Sequence, residues 1–244
     1  MKKVLRGFGI LLGIPVGLFL FLACAPSAVA QPSVVPTMTL TAEGVGSWNC
    51  NFNNDFRLGA DGKSWELGSA KAYSWAGTDL TVQQLRFDPD PLISNNTLVQ
   101  NNTLVNQIYT LSVALPTSFG APNGIRGSIA TSLIAVGGGT VSSVAPFSIY
   151  SAQIDGVTVR TLQNNPFTLT TPNAAVSAVA SYGLEANIVP VNTSIGILLR
   201  FQLTPGDSVT ILSDFEVAPV IPEPSTLALL LLGGGALALR RYRR

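Results

Sequence analysis

The stretch Ile195-Gly196-Ile197-Leu198-Leu199-Arg200-Phe201-Gln202-Leu203-Thr204-Pro205-Gly206-Asp207-Ser208-Val209-Thr210-Ile211-Leu212-Ser213-Asp214-Phe215-Glu216-Val217 decides the fold class. Ile195, Ile197, Leu199, Phe201 and Leu203 alternate with Gly196, Leu198, Arg200, Gln202 and Thr204. After Pro205-Gly206-Asp207, the positions Val209, Ile211, Ser213, Phe215 and Val217 resume the same period of two. Successive side chains of a strand point to opposite faces, so this pattern predicts two strands with one face buried and one largely solvated. With a three-residue turn between them, the pair reads as a β-hairpin.

Working outward, Asp155-Gly156 between Ile149–Ile154 and Val157–Leu162 predicts a second hairpin, because Asp-Gly readily takes the positive φ angles of a tight primed turn. Asp61-Gly62 and Pro122-Asn123-Gly124 mark further turns. Gly137-Gly138-Gly139 reads as a flexible turn, since no phosphate-binding loop pattern is completed around it. Further strands are expected at 37–42, 80–87, 107–115 and 128–136. Ala174 to Ala180 is compatible with helix or strand. The repeat Asn95-Asn96-Thr97-Leu98-Val99-Gln100, Asn101-Asn102-Thr103-Leu104-Val105-Asn106 has only two copies, too few for a β-solenoid. It reads as strand, turn, strand with Asn-Asn at the bends. Short strands separated by Gly, Pro and Asn clusters predict an all-β antiparallel β-sandwich, a single domain over 31–221.

The charge is unevenly placed. The 244 residues carry 14 Lys plus Arg and 13 Asp plus Glu, for a net +1. Lys2, Lys3 and Arg6 give +3 at one end, and Arg240, Arg241, Arg243 and Arg244 give +4 at the other. The interior is acidic, with seven cations against 13 acids. A net-acidic interior, with the clustered cations at the ends beside apolar runs, excludes a basic nucleic-acid-binding domain.

Residues 1–30 have the form of a secretory signal: a basic start, an apolar run from Phe8 to Ala23, and the small-residue exit Ala28-Val29-Ala30. Signal peptidase is then expected to cut between Ala30 and Gln31. An uncleaved anchor and a lipoprotein reading through Cys24 are the alternatives. The other end reads Pro222-Glu223-Pro224, then Ser225 to Leu239 without a charge, then Arg240-Arg241-Tyr242-Arg243-Arg244. An apolar segment followed by arginines is a translocation stop held on the cytoplasmic side. Its 15 uncharged residues fall short of the roughly 20 of a comfortable span, and Gly233 to Gly235 weaken its helix. A short, helix-weak tail suits a transient sorting signal.

In that order and spacing, Pro-Glu-Pro, apolar segment and Arg-rich end resemble the PEP-CTERM sorting tail of exported proteins of Gram-negative bacteria, here over 222–244. The resemblance implies recognition of Pro222, Glu223 and Pro224 by an exosortase. It also implies export linked to extracellular polysaccharide, with transient membrane contact through the tail. Arg86-Phe87-Asp88-Pro89-Asp90-Pro91 and the following Asn-Thr segment are similar to β-sandwich domains that often precede such tails. Those domains have no assigned activity.

The interior offers little chemistry. With no His, a Ser-His-Asp triad or Cys-His dyad is impossible. Cys50 is the only cysteine left after signal cleavage, which excludes an intramolecular disulfide; it is expected to be a buried, inert thiol. Asp88 and Asp90 offer two oxygen donors where Ca²⁺ needs six to eight, so loop capping is expected and no metal or cofactor is assigned. A glycosidase pair from Asp55, Asp61, Glu66 and Asp79 is not singled out by sequence. Trp48, Trp65, Tyr73 and Trp75 form an aromatic cluster that reads either as core or as a sugar-contact surface. The function expected is a non-enzymatic exported protein of the cell surface or extracellular matrix; the alternative is a carbohydrate-binding module or adhesin.

Overall fold

The computed structural model describes residues 34–219, apart from residues 53, 89 and 122. The signal segment with Ala28, Ala30 and Gln31 lies outside the described residues. So does the sorting tail with Pro222, Glu223, Pro224 and its four arginines.

Among the described residues there are sixteen strands and no helix. They are β1 (Thr37–Ala42), β2 (Gly46–Cys50), β3 (Phe56–Leu58), β4 (Trp65–Leu67), β5 (Lys71–Trp75), β6 (Thr78–Asp88), β7 (Leu92–Asn101) and β8 (Gln107–Pro116). There follow β9 (Asn123–Ile134), β10 (Gly139–Ser142), β11 (Tyr150–Ile154), β12 (Val157–Leu162), β13 (Thr168–Thr171), β14 (Ala175–Asn187), β15 (Ser194–Leu203) and β16 (Ser208–Pro219). They form two sheets, antiparallel throughout. The first runs β12-β11-β15-β8-β1-β2, with β10 also on β15 and β13 on β10; the second runs β14-β9-β16-β7-β6-β4-β3, with β5 also on β6.

The alternation predicted for 195–217 is observed in full: Ile195, Ile197, Leu199, Phe201, Leu203, Val209, Ile211, Ser213, Phe215 and Val217 are all buried. The pairing differs from the expected hairpin. β15 lies between β8 and β11 in the first sheet, while β16 lies between β7 and β9 in the second. The turn at Pro205-Gly206 is therefore a crossover between sheets, and the two apolar faces meet across the core instead of sharing one surface. Period two specifies which face is buried; it says nothing about which strand is the neighbour.

Other expectations divide similarly. β11 and β12 form the predicted hairpin, with Ile154 opposite Val157 and positive φ at Asp155 (52°) and Gly156 (77°), as a primed turn requires. Residues 174–189 contain a strand, β14, whose inward positions Val176, Ala178 and Ala180 are small or β-branched. Asn123 and Gly124 are not turn residues but open β9, where the Asn123 amide, fully buried, donates to the carbonyls of Gly120 and Val189. The first Asn-Asn-Thr copy is not a bend either. It lies inside β7, with buried Asn95 donating to Ser213 Oγ at 3.1 Å, and only the second copy turns the chain towards β8. Gly137 and Gly138 do turn, at φ of 86° and 96°, whereas Gly139 begins β10.

Two buried tyrosines tie the sheets together. Tyr109 on β8 meets Thr78 Oγ1 on β6 at 3.2 Å, and Tyr150 on β11 donates to the Asp214 carbonyl on β16 at 2.8 Å. A phenol spanning a core must find a hydrogen-bond partner on the far side, and each does. Gly127 on β9 makes the second bridge possible: a Cβ there would lie 2.6 Å from the Tyr150 hydroxyl and 2.8 Å from that of Tyr182. Tyr150→Phe is expected to cost about 1 kcal/mol, the usual net worth of one hydrogen bond. Gly127→Ala is expected to cost about 2–3 kcal/mol, as overpacking of a closed core does. Urea unfolding of the chain checks the order; equal stability of Gly127→Ala and wild type contradicts this packing.

Candidate functional site

The aromatic cluster is the only ligand-facing feature that the sequence singles out in the domain, and the structure divides it. β5 and β4 lie end to end along the same edge of β6: Trp75 pairs with Thr78 and Tyr73 with Leu80, but Trp65 pairs with Phe87. Nine residues of β6 separate the two ends, roughly 30 Å at about 3.4 Å per residue. Trp65 is therefore not on the same surface as the other three.

Trp48, Tyr73 and Trp75 do come together. Trp48 stands on β2, opposite Leu40 at the edge of the first sheet, and Trp75 on β5 in the second. Their ring centroids are 4.2 Å apart at an interplanar angle of 33°, so one ring covers the other. Tyr73 adds a hydrogen bond from its hydroxyl to the Asn51 carbonyl at 3.2 Å. All four aromatics are half-buried and pack on the apolar core. This arrangement closes the seam where the two sheet edges meet, as aromatic pairs with large contact area do. The buried indole N–H of Trp75 has no partner among the described residues.

Cys50 lies beside this seam, opposite Met38, as a free and buried cysteine. Burial pushes its thiol up to about 11. It lines a recess of about 600 Å³ together with Val35, Met38, Asn49 and Phe52. The sequence expectation of a buried thiol agrees with this position.

The carboxylates are occupied by structural partners. Asp61 accepts from the backbone N–H groups of Lys63 and Ser64, from the Ser64 hydroxyl, and from Arg86 Nη2 at 2.6 Å. Those backbone bonds first, with Ser64 and Arg86 assisting, hold its carboxyl well below the usual carboxylate range. Glu66 also faces Arg86, at 3.8 Å. Asp55 pairs with Lys71 at 2.8 Å, and Asp79 accepts from Ser74 and Asn102. Asp88 accepts the Asp90 N–H at 2.9 Å, the loop-capping arrangement that closes the β6–β7 turn. Among the described residues no group of three or more Cys, Asp or Glu is arranged to hold a metal ion.

Sequence reasoning missed one acidic position. Asp155, in the β11–β12 turn, accepts the N–H groups of Asn192, Thr193 and Ser194 and the Thr193 hydroxyl. It pins the segment leading into β15, and these bonds, the Ser194 and Thr193 N–H groups foremost, hold its carboxyl well below the usual range. The Asp-Gly turn signal located the residue but carried no hint of the loop it would meet. On the outer face of the second sheet a recess of about 440 Å³ is lined by Arg86, Arg126, Tyr182, Asp214 and Glu216. Its charged groups have partners: Arg126 donates twice to Glu216, Asp214 accepts from Ser128, and Arg86 donates to Asp61 outside the recess.

Against known proteins, residues 220–244 match the family model described as the PEP-CTERM protein-sorting motif. No curated protein matches the chain. Among solved structures, a cyclase from Fischerella sp. TAU is similar over 62% of this chain and 90% of its own, at 11% identity and a TM-score of 0.25. The same cyclase in complex with 4-(1H-indol-3-yl)butan-2-one is similar over 63% and 90%, at 10% identity and a TM-score of 0.26. Likenesses this distant carry no argument about fold or activity.

A thiol raised to about 11 is almost wholly protonated at neutral pH. Cys50 in the folded domain is expected to react with a maleimide at pH 7.5 on the order of a hundred-fold more slowly than an unperturbed thiol of pKa about 9. The sign follows from the raised folded-state value: the neutral form's contribution to stability is complete below about 9, the ordinary thiol value, and is lost as pH rises towards about 11. Labelling as fast as that of the urea-unfolded chain would contradict the burial.

Proposed function

We propose, from the premise that residues 220–244 are a PEP-CTERM protein-sorting motif, that this chain is a non-enzymatic exported β domain of the cell surface or extracellular matrix. The observation that carries the proposal is the motif match itself, which supports export and exosortase-dependent sorting. Signal peptidase removes 1–30, and the domain over 31–221 reaches the far side of the inner membrane. Exosortase then acts at Pro222-Glu223-Pro224, with the apolar segment and Arg240, Arg241, Arg243 and Arg244 holding the substrate in the bilayer. The working domain is a β-sandwich whose destination is shared with extracellular polysaccharide.

Two properties of the domain support a structural role. The carboxylates Asp55, Asp61, Asp79, Asp88 and Asp155 are engaged in turns, loops and ion pairs, leaving no unengaged acid–base pair among them. The half-buried aromatics close a sheet edge. Once both ends are removed, the seven interior cations face twelve acids, and the surface is mildly acidic. A net charge away from zero favours solubility in a crowded extracellular layer.

Replacing Pro222, Glu223 and Pro224 together by alanine tests the proposal. The expected result is a full-length form retained in the membrane, with loss of the mature species from the cell exterior. Unchanged mature size and location would overturn the sorting role.

A further inference from the structure

β14 is the longest strand among the described residues, with 13 residues, and it forms one end of the second sheet, where β9 is its one ladder partner and the Gln163 side chain adds a bond to the Ala178 carbonyl at 3.3 Å. The other strands at sheet ends are short: β12 has six residues, β2 five and β3 three. Short strands, lysines, prolines and inward charges are how sheets avoid pairing with other chains. β14 has none of these before Tyr182; its one register irregularity against β9 falls between Tyr182 and Glu185. From Asn173 to Leu184 there is neither a charge nor a proline, and its single charge, Glu185, is paired with Arg160 at 2.9 Å.

The phase of the ladder shows what this edge offers. The Ala135 N–H donates to the Ala174 carbonyl, so even-numbered residues of this segment exchange bonds with β9. In an antiparallel ladder the alternate residues then direct their N–H and C=O groups away from the neighbour. Those residues are Ala175, Ser177, Val179 and Ser181. Val179, at the middle of the row, is 75% exposed.

The sequence of the edge has its own symmetry. Ser177-Ala178-Val179-Ala180-Ser181 reads the same in both directions. A two-fold axis through Val179 would set Val179 opposite Val179 of a second copy, Ser177 opposite Ser181, and Ala178 opposite Ala180. Glu185, the single charge of the strand, lies beyond the register irregularity and outside the symmetric stretch, so no like charges meet within it. An isologous contact requires a self-complementary patch, and this segment is one by sequence, by charge and by backbone phase. We infer that β14 is a self-association edge, at which two copies of this chain pair antiparallel about Val179 and join their second sheets into one continuous sheet. The inference is independent of how the chain is sorted.

The test uses the full chain purified in detergent. Sedimentation is expected to find a dimer, and Val179→Asp, which places two carboxylates face to face, should weaken it by at least about tenfold while leaving the far-ultraviolet circular dichroism of the folded chain unchanged. A cysteine series on the Cys24→Ser chain reads the register independently. Val179→Cys should give a disulfide-linked dimer under mild oxidation, since residues directly opposite have Cα atoms about 4.5–5.5 Å apart. Ser177→Cys alone should not, because its counterpart is displaced by four residues, about 14 Å, but Ser177→Cys combined with Ser181→Cys should. A monomer at tens of micromolar, a dimer indifferent to Val179→Asp, or linking at Val179→Cys no greater than at the exposed loop position Leu104→Cys would each overturn the inference. A monomer whose edge is covered by the chain's own residues 220–244 is one such outcome.

Discussion

The structure depends on one corner, where β15 leaves the first sheet and β16 enters the second. Both strands are interior to their sheets, so the corner sets the relation of the two halves of the core. It is held from inside by Asn101, whose buried side chain donates to the carbonyls of Leu203 and Val105 and accepts from Thr103. Its backbone completes the clamp: Asn101 N–H donates to Asp207 O, and Gly206 N–H to Asn101 O. Thr204 is locked on the other side by reciprocal bonds with Thr140, and its hydroxyl also reaches Asp207. Pro205 and Gly206 face outward, while the buried polar side chains beside them, Asn101 and Asp207, are paired as buried polar groups must be. Gly139 completes the corner, since a side chain there would collide with the Asp207 carboxylate.

From that corner the rest follows by packing. The alternating residues of β15 and β16 face each other across the core, and the strands beside them inherit the same alternation. Tyr109 and Tyr150 then fix the spacing of the sheets with one hydrogen bond each. At the open side the edges are sealed by the stacked Trp48 and Trp75. The consequence for function is that polar and aromatic groups attractive as ligand contacts are largely used in holding the fold. What remains presented outward is a paired-charge surface and the bare edge of β14.

The legible part of this fold was the local part. The alternation at 195–217, the strand at 37–42 and the Asp155-Gly156 hairpin are each decided by neighbours in sequence, and each stands where it was expected. What sequence could not show was partner choice. The crossover of β15 to β16 and the placement of Asn95 inside a strand both depend on residues about 100 positions away, such as Ser213. The aromatic cluster failed as a unit for the same reason. Trp65 and Trp75 are close in sequence, yet β4 and β5 dock at opposite ends of β6. The sorting tail was legible because such a signal is read as a linear peptide; its order of Pro-Glu-Pro, apolar segment and arginines needs no tertiary structure.

The central claim is that this acidic β domain is the product and that its basic ends are routing segments. Intact mass of the protein recovered from the cell exterior tests it most directly. The account predicts a species lacking residues 1–30 and lacking the apolar, Arg-rich segment beyond Pro222-Glu223-Pro224. A mature protein that still carries Arg240, Arg241, Arg243 and Arg244 would contradict it.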